Sequence, residues 1–586
     1  MRLRAFPLVT AVLTAACARQ STFAPSPLSP SPRPEAGARL RAGFGVANIT
    51  PDVRARPIGL GGYGPDGRRA RGVRDSLYAR ALVLEDSLGE RIALVTVDLP
   101  TMAIRIHRLV AEAVVAETGI GADRLVIAAT HTHSGPGGIA DAAYYNAFGS
   151  AVSGYDTLLV RFLAARIADA VRAAAADLQA ARAAWGVLPL WGFTRNRSLD
   201  AYRLNPSGGL AGVTVPDGRS PEERAVDPRW LLLRVERWNA SSRCYTRGAF
   251  SVFAMHGTFI PNVNEEIDPD IFGAITAAME RRLADLDSTC AGWRPVAALA
   301  NGTEGDVTAA WPEASRCPPP RFRPGPPGPG PRAPPPGPSY QDVGRRRMQA
   351  CLELARDSAV GLAASIAERV MGLYGTLQPR DDLTIERSFR VVPLRGGLAP
   401  PELCDEPLIG VAQPGGSSED GPSRLLGWRL LRFIWPALVE GHGSARDEPD
   451  GCHGTKQPMI KPLQWILARM GGAPEIAQLS LVRIGDVVLA TLPAEVTTRA
   501  GESMRDSIRA ALGNGAATVR HIGIVSLTNG YMQYVTTAAE YGAQHYEGAS
   551  NLYGPRTAEA FARLLAEMAR GASPPPTRDS IRVWPW

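Results

Sequence analysis

Short apolar strands alternate with amphipathic helices along most of this chain, which restricts its fold more than any other feature. Arg91–Asp98 (RIALVTVD) has the composition of a buried strand, and a helix is predicted near Ala103–Glu117. Ile484–Asp486 joins two apolar runs with a hairpin signal. Further strands are predicted at Arg124–Ala129, Trp230–Trp238, Ala249–Met255, Pro295–Ala300, Ala477–Arg483, Val487–Leu492 and His521–Ser526, and helices at Leu158–Ala181, Ile271–Ala284, Gln341–Tyr374, Thr497–Ala511 and Arg556–Arg570. The pattern predicts an α/β protein.

The composition argues against two classes of protein. Apolar residues make up 45% of the 586 residues and charged residues 21%, which excludes a wholly disordered chain. The net charge is +7, but the basic residues are interleaved with acidic ones, and the longest basic run is Arg345–Arg347. A nucleic-acid-binding protein usually gathers its charge into a patch or stripe. We therefore expect no nucleic-acid partner.

The first residues are typical of a bacterial export signal. Arg2 and Arg4 precede an apolar run, Ala5–Ala16, that is too short to span a bilayer. The stretch Leu13–Cys17 resembles a lipoprotein cleavage site. We expect residues 1–17 to be a signal peptide and the protein to be exported, either secreted, periplasmic or anchored by a lipid on Cys17.

Biased composition marks the remaining boundaries. Residues 18–40 are rich in Pro and Ser and predict a flexible linker, and residues 318–338 are nearly all Pro, Gly and Arg and predict an insertion. Residues 573–586 form a Pro-rich tail. The folded domain is therefore expected to cover residues 41–572.

Six cysteines follow Cys17, an even number that suggests three disulfides in an exported chain. Sequential pairing predicts Cys244–Cys290, Cys317–Cys351 and Cys404–Cys452. Buried free thiols are the alternative.

Chemically active residues follow several predicted strands. Thr130–Gly138 (THTHSGPGG) carries His131 and His133 where a strand ends, and His256 follows another strand. Glu495 comes after a third, and Asn529–Tyr553 holds five of the chain's fourteen tyrosines. Each has a structural alternative: a core histidine, an acid at a helix N-terminus, or a packed aromatic loop.

The shared position of these segments indicates one site. Ligands bind outside the carboxyl ends of strands in open α/β sheets. Two imidazoles and one carboxylate are the set typical of hydrolytic zinc, which keeps a further position open for water. The residues by themselves therefore predict an exported zinc hydrolase.

A set of motifs gives this chain a family resemblance. The motifs occur in the family's order between about Ala42 and Gly571, and they are Gly45–Pro51, Thr130–Gly138, Asn196–Ser198, His256–Thr258, Gly305–Val307, Tyr534–Thr537 and Tyr546–Ser550. Together they resemble the neutral/alkaline (non-lysosomal) ceramidase family. The resemblance implies a mixed-sheet catalytic domain, with helices packed on the sheets, that cleaves the N-acyl amide of ceramide at a membrane or micelle surface to give sphingosine and a fatty acid.

The resemblance also implies a role for each site residue. One zinc ion per chain would be bound by four ligands: His131, His256, Glu495 and Tyr534. His133, Arg197 and Tyr546 would surround the scissile amide, with Arg197 or Tyr546 stabilising the oxyanion and His133 passing a proton to the leaving amine.

Two departures from the family pattern leave alternatives open. The family has an essential Ser where this chain has Thr308, and its C-terminal β-sandwich is not expected in this sequence. Thr308 retains a hydroxyl and is predicted to take the Ser role. The alternatives are a family zinc amidase that acts on another lipid or N-acyl amide, and a catalytically weak lipid- or glycan-binding surface protein.

Overall fold

The structure is a computed structural model of the whole chain. It describes residues 39–571 apart from 207–213, 240–242, 287–289, 291–292, 311–339, 411, 414–416, 418–450 and 459–470. The predicted signal peptide, nearly all of the linker, the Pro-rich insertion, the tail and Cys317 lie outside the described residues.

An eight-stranded mixed sheet is the larger of the two main sheets in the described part of the chain. Its strands are β1 Leu40–Asn48, β3 Tyr78–Glu85, β4 Arg91–Val97, β5 Leu125–Ala129, β6 Gln179–Pro189, β8 Arg229–Asn239, β9 Cys244–Phe253 and β11 Val296–Asn301. They lie in the order β11-β9-β8-β6-β1-β3-β4-β5. Neighbours are antiparallel except β4/β5 and β9/β11, which are parallel.

A four-stranded sheet packs against the first. Its strands are β13 Ile385–Pro393, β14 Ile476–Ile484, β15 Val487–Thr491 and β17 His521–Val525. They lie in the order β13-β14-β15-β17, which contains the predicted hairpin, and β15 and β17 are parallel. Three two-stranded pairs complete the sheets: β2 Gly72–Val73 with β10 Glu266–Ile267, β7 Thr194–Asn196 with β12 Val307–Ala309, and β16 Glu495–Val496 with β18 Tyr534–Val535.

Helices pack on the outer faces of both sheets or lie in the connections between strands. They are α1 Ile104–Thr118, α2 Ala143–Phe148, α3 Thr157–Ala176, α4 Leu199–Arg203, α5 Pro221–Arg224, α6 Asp270–Asp285, α7 Tyr340–Thr376, α8 Thr498–Leu512, α9 Ala538–Ala543, α10 Tyr546–Ser550 and α11 Thr557–Ala569. No helix in the described ranges combines the length and apolar character needed to cross a membrane.

Apolar side chains on both faces of each strand let the sheets pack in layers. In β4, Leu94 belongs to the cluster that also contains Val482 and Leu489 of the smaller sheet. The adjacent Val95 packs instead with α1 and α3. Because successive side chains of a strand point to opposite faces, one strand serves two cores. With α8 and α11 packed on the smaller sheet, the result is four layers in the order helix, sheet, sheet, helix, and the α/β prediction is confirmed.

One predicted helix was too long. Leu158–Ala181 was predicted as a single helix, but α3 ends at Ala176 and β6 begins at Gln179. Asp177 terminates the helix and accepts a hydrogen bond from the Phe44 N–H at 3.0 Å. Contacts with the sheet therefore override the helix propensity of this Ala-rich segment.

Two of the three predicted disulfides are present among the described residues. Cys244 is bonded to Cys290 and Cys404 to Cys452, each pair with its Cα atoms 5.8 Å apart. Cys351 is also disulfide-bonded, but its predicted partner lies outside the described residues.

Candidate metal centre and active site

The two main sheets meet at the carboxyl ends of their parallel strands. The Ser526 N–H, just after β17, donates to the Asn301 carbonyl at the end of β11, at 3.1 Å. The Ala129 N–H of β5 donates to the Leu527 carbonyl, also at 3.1 Å. The loops that leave β5, β9, β11, β15 and β17 therefore converge on one buried volume.

Backbone geometry aims the first two histidines into this volume. His131 adopts a left-handed backbone with φ of 68°, uncommon for a residue with a Cβ. The turn fits closely against Gly257, where a Cβ would collide with the His131 carbonyl. Gly62, at φ 101°, likewise leaves room for the His133 ring. These glycines are required by the close approach of the two loops.

Three imidazoles converge at the site. The Nε2 atom of His131 lies 3.2 Å from Nε2 of His256 and 3.3 Å from Nε2 of His133. The possible ligand atoms of all three residues lie within 4.8 Å of one another. Such a cluster of buried nitrogens is compatible with a metal site.

Hydrogen bonds fix the orientation of two of these imidazoles. Nδ1 of His131 lies 2.5 Å from the Pro100 carbonyl, and Nδ1 of His256 lies 2.9 Å from the Glu304 carbonyl. A carbonyl accepts only, so each Nδ1 carries the proton and each Nε2 presents a lone pair. Burial lowers the pKa of His256 to about 4, which keeps that ring neutral.

His133 differs from the other two histidines. Its buried Nδ1 has no hydrogen-bond partner in the described part of the chain. Burial, and then the neighbouring His131 and His256, hold its pKa well below the usual value. Its ring packs edge-on against Tyr63, with centroids 4.7 Å apart. His133 is therefore a neutral imidazole whose tautomer no carbonyl fixes.

The pairing of β16 with β18 places Glu495 directly opposite Tyr534. Oε2 of Glu495 lies 3.3 Å from Nε2 of His131 and 3.1 Å from Nε2 of His256. The Tyr534 hydroxyl lies 3.4 Å from the same nitrogen of His256. The structure therefore brings the four residues of the predicted ligand set together in one buried site.

Arg197 connects this cluster to a second carboxylate. Its Nη2 donates to the Tyr534 hydroxyl and to the Gly305 carbonyl, both at 2.9 Å. Its Nε donates to Glu547 at 3.0 Å, and the Ser198 hydroxyl donates to the other Glu547 oxygen at 2.6 Å. A guanidinium held by three groups is well suited to a fixed position beside a reacting centre.

The two remaining predicted residues lie on α10 and β12. Tyr546 is half-buried at the start of α10, with its ring 5.4 Å from that of Tyr534 and 5.6 Å from the Arg197 guanidinium carbon. Thr308 is buried in β12 and pairs with Arg195 of β7. It follows Val307, whose carbonyl accepts from the His256 N–H at 3.0 Å.

Comparison with known proteins places this chain in a family. The model of the neutral/alkaline non-lysosomal ceramidase N-terminal region matches residues 40–563. The chain belongs to this family. The predicted family, its mixed α/β fold and its enzyme class are therefore confirmed.

The ceramidase relatives match over most of their length. The neutral ceramidase of Pseudomonas aeruginosa is 29% identical over 540 residues, covering 90% of this chain and 71% of the relative. A crystal structure of the Pseudomonas aeruginosa neutral ceramidase matches with a TM-score of 0.65 and 26% identity, covering 91% of this chain and 74% of that one. A ceramidase complexed with C2 matches with a TM-score of 0.66 and 28% identity, covering 91% and 75%.

The sequence does not predict two features of this ceramidase-family site. Tyr531 donates its hydroxyl to Oε1 of Glu495 at 2.6 Å, and its place in a tyrosine-rich segment is the only signal for it in the sequence. Glu304 is fully buried, and neither of its carboxylate oxygens has a hydrogen-bond partner in the described ranges. Its place beside the Gly305–Val307 motif was the only signal for it.

Proposed function

We propose that this chain is an exported, zinc-dependent hydrolase that cleaves the N-acyl amide bond of ceramide to sphingosine and a fatty acid. His131, His256, Glu495 and Tyr534 are its proposed zinc ligands. Membership of the ceramidase family and the chemistry of this buried cluster support the proposal.

One observation carries the metal assignment: three hydrogen-bond acceptors face one another. Nε2 of His131 and of His256 present lone pairs, and Oε2 of Glu495 lies 3.3 and 3.1 Å from them. That oxygen is buried and has no hydrogen-bond donor in the described part of the chain. Hydrogen-bond acceptors this close repel one another unless a cation lies between them. This set of ligand atoms therefore fits a metal ion.

The type of donor favours zinc. Imidazole nitrogen and carboxylate oxygen are ordinary zinc ligands, and the cluster includes no thiolate. When bound, zinc would supply Lewis acidity to polarise the amide carbonyl and activate water at neutral pH. Burial and the charge of Glu495 raise the pKa of Tyr534 well above its usual value. The Arg197 cation beside its hydroxyl favours the phenolate that metal binding requires.

Arg197 and Tyr546 are proposed to stabilise the negative charge that develops on the amide oxygen. Three contacts hold the Arg197 side chain, so little reorganisation is needed when charge appears. Tyr546 packs against this guanidinium and is only half-buried. Its side chain is therefore partly accessible to a substrate that enters the site.

His133 is proposed to move the proton. Its pKa is held well below its usual value by burial and by the other two imidazoles. It is therefore neutral at physiological pH and can accept, at a ring nitrogen, the proton that the attacking water gives up. The protonated ring can pass that proton to the leaving amine, which could not otherwise depart as a neutral group.

Export is supported by the disulfides. Cys244–Cys290 and Cys404–Cys452 are both formed, and such bonds persist mainly in oxidising compartments. We propose a secreted, periplasmic or Cys17-anchored protein that meets its substrate at a membrane or micelle surface.

The test measures zinc content and hydrolysis of a fluorescent ceramide on the same purified sample. We expect about one zinc ion per chain, loss of hydrolysis after chelation and dialysis, and recovery when zinc is returned. Full hydrolysis by metal-free protein would refute the zinc mechanism. A zinc-loaded protein inactive on ceramide would refute the substrate.

A second substrate class is favoured by Thr308. It adds a methyl group where the ceramidase pattern has Ser, and it is buried next to Val307, whose carbonyl accepts from the His256 N–H. We propose that this methyl group changes which acyl amides the site accepts. Hydrolysis of other lipid amides or N-acyl amino compounds, assayed in parallel with ceramide, tests this alternative.

A further inference from the structure

The two oxygens of Glu495 have different surroundings. Oε2 faces the imidazoles of His131 and His256, at 3.3 and 3.1 Å between oxygen and Nε2. Oε1 accepts a hydrogen bond from the Tyr531 hydroxyl at 2.6 Å. The Tyr531 hydroxyl therefore holds the carboxylate oxygen that is not the one facing the two imidazoles.

Tyr531 lies in a segment that is anchored to β5 as well as to the segment that carries Glu495. Two residues before it, Asn529 adopts a left-handed backbone with φ of 57°. Its N–H donates to the Ile127 carbonyl at 2.9 Å, and its side-chain oxygen accepts from the Ile127 N–H at 2.8 Å. The Tyr531 ring packs edge-on against Tyr145, with centroids 5.1 Å apart. The Met532 N–H also donates to the Pro493 carbonyl at 2.7 Å, and the Glu495 N–H donates to the Gln533 carbonyl at 3.0 Å. Contacts with β5, α2 and the Glu495 segment together therefore fix the position of the Tyr531 ring.

Tyr531 and Tyr534 lie three residues apart but contact different atoms. The Tyr534 hydroxyl lies beside Nε2 of His256 and receives a hydrogen bond from Arg197. The Tyr531 hydroxyl instead donates a hydrogen bond to Oε1 of Glu495. The first geometry suits a ligand and the second suits a group that orients a ligand.

We propose that Tyr531 is a positioning residue that holds Glu495 with Oε2 directed at the metal and Oε1 turned away. The inference rests on the metal centre proposed above and adds the group that sets how its carboxylate binds. Hydrogen bonds to the ligands of a metal fix their orientation, and losing one typically weakens metal binding by about 10–100-fold.

The test compares two phenylalanine variants. Tyr531→Phe keeps the ring and its packing on Tyr145 and removes only the donor to Glu495. Tyr145→Phe removes a buried hydroxyl from the same aromatic pair and leaves that hydrogen bond intact. Zinc affinity is measured by chelator competition on metal-depleted full-length protein. We expect roughly 10–100-fold weaker binding in Tyr531→Phe and wild-type binding in Tyr145→Phe.

A double-mutant cycle shows whether Tyr531 acts through Glu495. In a Glu495→Gln background, Tyr531→Phe should weaken zinc binding by much less than it does alone. In the single variant, excess zinc should restore most of the hydrolysis rate, which a general loss of structure would not allow.

Three outcomes would overturn the inference. Unchanged zinc affinity in Tyr531→Phe, against a wild type that binds zinc, would refute the positioning role alone. Equal losses in Tyr531→Phe and Tyr145→Phe would assign the effect to packing. A wild-type protein that binds no zinc would refute the proposed centre and this inference with it.

Discussion

Nε2 of His256 lies 3.1 Å from Oε2 of Glu495, although the two residues leave different sheets. His256 follows β9 of the eight-stranded sheet, and Glu495 follows β15 of the four-stranded sheet. The site is therefore assembled only when the two sheets pack, so its formation depends on the tertiary fold as well as on local sequence.

Replacing either His256 or Glu495 should abolish metal binding. We expect His256→Ala and Glu495→Gln each to lower the zinc content of the purified protein to well below one ion per chain. His521→Ala, a half-buried histidine at the start of β17, is the matched control and should keep its zinc. Elemental analysis and circular dichroism on the same samples check the result. Full zinc content in both site variants would contradict the ligand set.

The position of Arg197 predicts a loss of rate rather than of fold. Lysine keeps the charge but cannot reach the Tyr534 hydroxyl, the Gly305 carbonyl and Glu547 together, because it lacks the planar fork of donors. Arg197→Lys should lower kcat by about 10²–10³-fold, the scale of losing one oxyanion contact. Steady-state kinetics check this. A variant with near wild-type kcat would remove Arg197 from the mechanism.

The buried Glu304 carboxyl group should lower the free energy of unfolding of the metal-free protein. Burial, and then the charge of Glu495, raise its pKa well above the usual value. Replacing such an unpaired group by an apolar side chain of similar length removes the desolvation cost. We expect Glu304→Met to raise the free energy of unfolding of metal-depleted protein by about 1–3 kcal/mol. Urea unfolding measures the change. A loss of stability would instead indicate that Glu304 binds a cation or water in solution.

A second buried cluster predicts how stability depends on pH. Burial alone would raise the pKa of Asp227, but Arg505 and Arg229 outweigh it and lower the pKa to about 2. Nε of Arg229 donates to Asp227 at 2.7 Å, and Arg505 donates to its other oxygen. Because the folded pKa lies below the unfolded value of about 3.9, the stabilisation is present above pH 4 and is lost as the pH falls towards 2.

Asp227→Asn tests this prediction. The variant should lose on the order of 2 kcal/mol at pH 7 and should show a weaker fall in stability between pH 4 and 2 than the wild type. Asp200→Asn, at an exposed position of α4, is the control and should follow the wild type. Identical pH profiles for Asp227→Asn and the wild type would contradict the assignment.

The sequence indicates which residues come together better than it indicates the contacts between them. His131, His256 and Glu495 each follow an apolar strand, and that pattern is local. The contact of Tyr531 with Glu495 depends on how the chain turns after β17, where Leu527 adopts a left-handed backbone with φ of 56°. A leucine gives no local signal for that conformation, so the hydrogen bond could not be predicted.

The α3 helix shows the same limit within one element. Its Ala-rich sequence favours a helix beyond Ala176, but the segment from Gln179 pairs with both β1 and β8. Pairing with two strands outweighs a propensity of a few tenths of a kcal/mol per residue. Tertiary contacts thus decided both the end of this helix and the details of the active site.

Substitutions at Thr308 should distinguish ceramide from other N-acyl amides as the substrate. Val307 and Ala309 on either side pack into apolar clusters, and strand alternation turns the Thr308 side chain to the opposite face. Thr308 follows the residue that anchors the His256 backbone, which suits a hydroxyl acting beside the proposed metal. Thr308→Ala should lower kcat on ceramide by about two to four orders of magnitude, and Thr308→Ser should keep or raise it. Thr194→Ala, in the partner strand β7 opposite Ala309, removes a buried threonine hydroxyl elsewhere and should leave kcat unchanged. Near wild-type turnover by Thr308→Ala would make the hydroxyl a bystander and would favour another N-acyl amide, or a binding role, over ceramide hydrolysis.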